Sequence, residues 1–236
     1  MKKQLIIAII LSFNAFEGAF AQRYRTADVA VSFGSGFAPA LSYGQLYGKK
    51  FKYGFGLRFT SFSGGQADLT TAPAKLTAGK ESFAALFESK KINSQLDTLR
   101  LSNVQSNSLN LFINLQYSIT PKIEVGFNID AIGLSFGGKQ SGTFIAKQTD
   151  AQGKTNNNKT QTGSPTTLNL LLVSDSDIGS LNSEIYGRYW LNDKLGIRAG
   201  LGFQFVEYTT TTKLAFDNDR FRGKFLQPMI AVSYKF

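Results

Sequence analysis

The chain has 236 residues, no cysteine and no histidine, and its 26 basic and 16 acidic side chains give a formal net charge of +10. Without Cys there is no disulfide framework and no thiol for a lipid anchor. Without His, acid–base chemistry built on an imidazole is excluded. No segment after the first 21 residues approaches 18 consecutive apolar residues, so no membrane-crossing helix is expected.

Residues 1–21 begin with Lys2 and Lys3, continue through an apolar stretch from Leu5 to Phe16, and end in the small-x-small site Ala19-Phe20-Ala21. About a dozen apolar residues are too few to span a bilayer as a helix, which needs about 20. The order is that of a cleavable export signal, with cleavage expected after Ala21. That leaves residues 22–236, about 215 residues, as one all-β domain. Subtracting Lys2 and Lys3 from 26, and Glu17 from 16, leaves 24 basic and 15 acidic residues, a net of +9. These charges are scattered, with no basic helix and no RNA-binding motif, so no nucleic acid is expected. Contact with anionic lipid headgroups or sugars suits an exported chain better. Glycine at 23 residues, about 10% against a usual 7%, and aromatics at 13% favour strands and turns.

The strands follow in order. Residues 28–33 alternate, with Val29, Val31 and Phe33 on one face, and a Gly-rich link at 34–37 leads to a second alternation over 40–47. Gly48-Lys49-Lys50 is a tight turn. Residues 51–62 then place Phe51, Tyr53, Phe55, Leu57 and Phe59 on one face, and Lys52, Gly54, Gly56, Arg58 and Thr60 on the other. Residues 63–106 read as a long polar connection, with Phe83, Leu86 and Phe87 at the spacing of a short amphipathic helix. A strand over 108–119 puts Leu109, Leu111, Ile113, Leu115 and Tyr117 outward, and the strand from 123 to 130 does the same with Ile123, Val125, Phe127 and Ile129. The period slips near Ala131 and Ile132, the sign of a bulge. A second long connection, 137–180, is of low complexity at TDAQGKTNNNKTQTG. Strands over 181–191 and 195–208 flank the turn Asn192-Asp193-Lys194, and a loop over 217–222 precedes the closing strand.

That last strand, FLQPMIAVSYKF, carries Leu226, Pro228, Ile230, Val232, Tyr234 and Phe236 on one row. Here the chain resembles the outer-membrane β-barrel proteins of Gram-negative bacteria, whose closing strand ends in Phe after alternating apolar residues. The resemblance implies that Val232, Tyr234 and Phe236 form the signal read by the outer-membrane assembly machinery. It also implies a cell-outer-membrane location with lipid and lipopolysaccharide as surroundings. The expected fold is an eight-stranded antiparallel up-and-down transmembrane β-barrel of OmpA/OmpX type. A ten-stranded barrel would need both 143–148 and 166–174 to span, and the first has no lipid-facing row. Short turns at 48–50, 120–122 and 192–194 belong in the periplasm and the long connections outside. Aromatic girdles are expected from Tyr47, Phe51, Tyr117, Tyr189, Trp190 and Phe236 below, and Phe59, Phe205 and Phe225 above.

The barrel enzymes that this chain resembles in shape depend on a His, so no catalytic residue carries over, and neither enzyme activity nor a cofactor is expected. Asp175 and Asp177 lack the ordered spacing of a calcium loop. The glycine pairs Gly54/Gly56 and Gly200/Gly202 sit on inward positions, where they leave room for larger neighbours. Counting from the short turns puts Glu124, Arg188 and Arg198 at one height inside, and Arg58, Asp130 and Glu184 higher. Such charges either pair into a structural plug or line a gated pore. Three roles remain open: a membrane-anchored barrel presenting its loops for binding or envelope integrity, a small passive channel, or a subunit of an envelope or secretion complex.

Overall fold

The computed structural model describes residues 23–77, 96–146, 159–172 and 176–236. The expected export signal and the helix around Phe83, Leu86 and Phe87 lie outside these residues, as does Asp175. Among these described residues thirteen strands form a single antiparallel sheet. They are β1 Arg23–Phe33, β2 Phe37–Tyr47, β3 Phe51–Gly64, β4 Ala67–Thr71, β5 Thr98–Leu101, β6 Val104–Ser118, β7 Ile123–Phe136, β8 Gln140–Ile145, β9 Lys159–Pro165, β10 Leu168–Leu170, β11 Asn182–Trp190, β12 Leu195–Thr210 and β13 Arg220–Lys235.

Hydrogen bonding follows the chain from β1 to β2, β3, β6, β7, β11, β12 and β13. β13 then pairs back onto β1, with Val29 opposite Val232. The round is closed and its strands expose no free edge to a second chain. A second round shares β12 and β13 and runs through β4, β5, β8 and β9, returning to β12 where Tyr208 faces Pro165.

Side-chain placement in the first round is inverted relative to a water-soluble sheet. On β3, Phe51 and Phe55 are 57% and 58% exposed, while Lys52 and Arg58 are 5% and 2%. The same alternation runs along β6, β11, β12 and β13. A period of two sends every second side chain to the other face, and only an apolar surrounding accommodates a continuous apolar outer face. At the expected slip, Leu111 pairs with Ile132 and Phe112 with Asp130, so Ala131 is the extra residue. The bulge keeps Ile132, Leu134 and Phe136 outward after Asp130 has turned inward. The β2–β3 turn requires glycine at Gly48: its φ is +124°, and a Cβ there would collide with the Phe51 carbonyl oxygen.

Several expected boundaries are corrected. β1 starts at Arg23, five residues before the expected position, and places Asp28 mid-strand. The 63–106 connection contains β4, β5 and the start of β6, and the 137–180 connection contains β8, β9 and β10. These segments are ordered by one shared apolar core, in which Phe62, Leu69, Leu99, Leu101, Val104, Phe144, Val206, Tyr208 and Phe221 are buried together. β8 pairs with β5 and β9, so this part of the second connection extends the sheet without entering the first round. The loop expected at 217–222 lies earlier: β12 runs to Thr210, a 3-10 turn spans Ala215–Asp217, and β13 already begins at Arg220. Two girdle residues face inward: Trp190 is 5% exposed with Lys235 over its ring, and Phe225 stacks on Phe62 at 4.8 Å. Both fall on the inward parity of their strands.

Candidate functional site: a buried line of alternating charge

Inward positions on β1, β3, β7, β11 and β12 bring eight charged side chains into the closed round. Across the ladder Arg188 lies opposite Glu124 on one side and Arg198 on the other. Asp28, at the same parity on β1, reaches both arginines. The contacts run in one sequence of alternating sign: Lys52, Glu124, Arg188, Asp28, Arg198, Glu184, Arg58, Asp130.

Lys52 meets Glu124. Glu124 Oε2 lies 3.6 Å from Arg188 Nη1, and Arg188 Nη2 lies 3.1 Å from Asp28 Oδ1. Asp28 Oδ2 is 3.5 Å from Arg198 Nη1, and Arg198 Nη2 is 3.0 Å from Glu184 Oε2. Glu184 Oε1 is 3.0 Å from Arg58 Nη1, and Arg58 Nε donates to Asp130 Oδ1 at 3.0 Å. All eight side chains are nearly or fully buried. Four acids balance four bases, so the line carries no net charge. Burying either sign alone is prohibitive, and alternation lets each inner member contact two opposite charges.

Neutral groups add further hydrogen bonds, although among the described residues Glu124 Oε2 accepts none and Arg198 Nε donates none. Arg58 donates to Asn128 Oδ1 at 2.9 Å and to the Asn182 carbonyl at 2.8 Å. Arg188 donates to Ser233 Oγ at 3.0 Å and to Gln116 Oε1 at 3.1 Å. Asp130 accepts from Asn110 at 2.8 Å and from the Asn182 backbone N–H at 2.9 Å. Arg198 sits 4.5 Å from the Tyr186 ring centroid and Arg58 5.3 Å from that of Phe112. Those rings fit because Gly126 and Gly56 lie beneath them: a Cβ at either would collide with Tyr186 or Phe112. At Gly54 and Gly200 the close neighbour is instead a backbone oxygen of the adjacent strand, and Gly202 meets nothing nearer than 3.4 Å. The expected making of room therefore applies to Gly56 alone of the four.

The six expected residues, Arg58, Glu124, Asp130, Glu184, Arg188 and Arg198, are all members of this line, in an order that the height count did not give. Glu124 joins Arg198 only through Arg188 and Asp28. Asp28 and Lys52 were missed. The signal for Lys52 was its inward parity beside Arg58; that for Asp28 was its parity against Val29 and Val31.

Above the line, the shared apolar core fills the second round, and Glu207 is fully buried between Arg220 at 2.7 Å and Arg222 at 2.7 Å. Tyr208 donates to the Gln105 carbonyl at 2.6 Å. Further out, Asp68 on β4 holds Arg100 on β5 through two bonds of 2.7 Å, and that guanidinium keeps the Asp68 carboxyl below its usual range. Val232, Tyr234 and Phe236 lie on the outward, exposed row. Tyr234 and Phe236 stack edge-to-face at 5.1 Å, and the Phe236 N–H bonds the Arg25 carbonyl. Asp177 accepts the Leu172 N–H. No group of three or more metal-ligating side chains occurs among the described residues.

Structures similar to this chain are outer-membrane proteins. Neisserial surface protein A is 13% identical over 92% of this chain and 100% of its own, with a TM-score of 0.39. A major outer membrane protein of Thermus thermophilus is 12% identical over 91% and 100%, also at 0.39. Ail of Yersinia pestis, solved with the heparin analogue sucrose octasulfate, is 10% identical over 92% and 100%, at 0.35. No family model and no curated protein matches the chain.

Proposed function

We propose that the chain is an eight-stranded, up-and-down transmembrane β-barrel of the outer membrane, made from residues 22–236 after cleavage at Ala21. It is non-enzymatic and holds no cofactor. Its role is to anchor in the membrane and present the second round of strands, with the connections at 63–106 and 137–180, for extracellular binding or envelope integrity. The surroundings of the wall are lipid and lipopolysaccharide, and the assembly machinery reads the row Val232, Tyr234 and Phe236. The observation that carries this reading is the inversion: a closed round with large apolar side chains exposed outside and a neutral line of eight charges buried inside. Outside-facing apolar residues suit lipid, and a lumen of this strand number is just wide enough for side chains to fill.

The absence of cysteine makes orientation directly testable. Single cysteines replacing Lys139, on the long-connection side, and Lys194, in a short turn, are labelled on intact cells with an impermeant maleimide. Labelling at 139 with protection at 194 until the outer membrane is permeabilised is the expected result. The reverse pattern, or labelling of neither in a membrane-integrated protein, overturns the orientation.

A further inference from the structure

The rim that carries the short turns is strongly basic. Arg23 and Arg25 open β1, Lys49 and Lys50 form the β2–β3 turn, and Lys122 and Lys194 lie in the β6–β7 and β11–β12 turns, all exposed. Asp193 is the exposed acidic side chain on this rim among the described residues. None of the six cations forms an ion pair with another described residue. Among the described residues of the opposite end, Arg100 pairs with Asp68, Lys213 with Asp217, and Arg220 and Arg222 with Glu207.

The six charges are spread around the circumference, on β1 and on three separate turns. A compact protein partner would meet one side of such a ring. A lipid leaflet meets all of it. Depth agrees with this: Arg23 and Arg25 share the outward row of β1 with Val29 and Phe33 and lie below them. The Lys50 ammonium stands 5.4 Å from the ring of outward-facing Tyr117. The cations therefore begin where the apolar outer face ends, at headgroup level.

One position on the ring is more elaborated. Arg23 donates to the Gln45 side-chain oxygen, and Gln45 donates in turn to the Tyr47 hydroxyl, which fixes Arg23 along the wall. Arg25, opposite Gln45 in the ladder, has a guanidinium free of hydrogen bonds and ion pairs among the described residues. Phe236, whose N–H bonds the Arg25 carbonyl, packs its ring on Tyr43 with centroids 6.1 Å apart. Two guanidiniums on one strand face, roughly 7 Å apart by the strand rise, suit the phosphate of a lipid whose chains lie against those rings.

We propose that this rim binds the phosphate headgroups of anionic glycerophospholipid in the leaflet around it, with Arg23 and Arg25 as its tightest position. The proposal rests on the barrel and its orientation given above.

Native mass spectrometry of the detergent-folded full chain, mixed with equal phosphatidylglycerol and phosphatidylcholine, tests it. Retention of phosphatidylglycerol at least about tenfold over phosphatidylcholine is expected, given the attraction of each near-surface cation. Arg23→Gln with Arg25→Gln should remove most of that preference, and adding Lys49→Gln, Lys50→Gln, Lys122→Gln and Lys194→Gln the rest. Lys139→Gln with Lys159→Gln, at the other end, should leave it intact. Equal retention of both lipids by folded protein, or an unchanged preference in the six-residue variant, sinks the rim site alone. Displacement of the lipid by inorganic phosphate at the same concentration assigns the site to a free anion and overturns the leaflet proposal. Wild-type protein with no heat-modifiable migration is not a barrel, and removes both readings.

Discussion

Arg188 contacts Asp28 and Glu124 and stacks near Tyr186 and Trp190, so its loss is felt in two directions. Arg188→Ala leaves both acids short of a counter-charge in a buried setting, a change that costs about 3–5 kcal/mol. Urea unfolding from lipid vesicles should show that loss, and a midpoint equal to wild type would argue for solvated charges. Arg188→Lys should recover little, since one ammonium does not reproduce a fork that reaches Asp28, Gln116 and Ser233 together. Leu57 and Arg58 are neighbours on opposite faces. Leu57→Arg should cost about 2–4 kcal/mol near the bilayer midplane, whereas Arg58→Leu frees Asp130 and Glu184. A wild-type midpoint for Leu57→Arg, or for Arg58→Leu, in the same unfolding assay would refute the alternation. The parity of each of these residues was legible in the sequence. The order of the line was not, because Lys52 and Glu124 are 72 residues apart and meet only once β3, β6 and β7 are laid side by side with a definite stagger.

At the scale of elements, the long strands β3, β6, β12 and β13 could be read because each repeats its apolar row over many residues. β4, β5, β8, β9 and β10 could not, since strands of 3 to 7 residues hold one or two apolar positions each. Leu69, Leu99 and Phe144 acquire meaning only when three separate segments pack them together. Leu99→Ala should cost about 2–5 kcal/mol of local stability. Hydrogen exchange should then quicken in β4, β5 and β8 while β1 to β3 keep their protection. Uniform change across the sheet would deny that the outer round opens separately. Asp68 and Arg100 tie β4 to β5 in the same region, and the depressed Asp68 carboxyl adds stability above its unfolded pKa, lost as pH falls through its folded one. The pair is about half exposed, so acid should loosen β4–β5 only slightly, and Asp68→Asn should abolish that pH response.

For the whole molecule, a chain with a net charge of +10 keeps its buried line neutral and leaves its excess cations on the surface, six of them at the short-turn rim without an ion pair among the described residues. The closing strand and the alternating faces made the sheet class readable from the sequence alone. The plug was readable only as one of two options, because charges pointing inward look the same in a sequence whether they pair or line water. The eight-member alternation, capped by the apolar core between the second-round strands, favours the plug. Conductance of purified protein in planar bilayers tests that most directly. Little or no steady current from wild type, with current appearing in Arg188→Ala, is the expected result. A large, stable wild-type conductance, with stability unchanged in Arg188→Ala, would contradict the filled lumen and make the protein a channel.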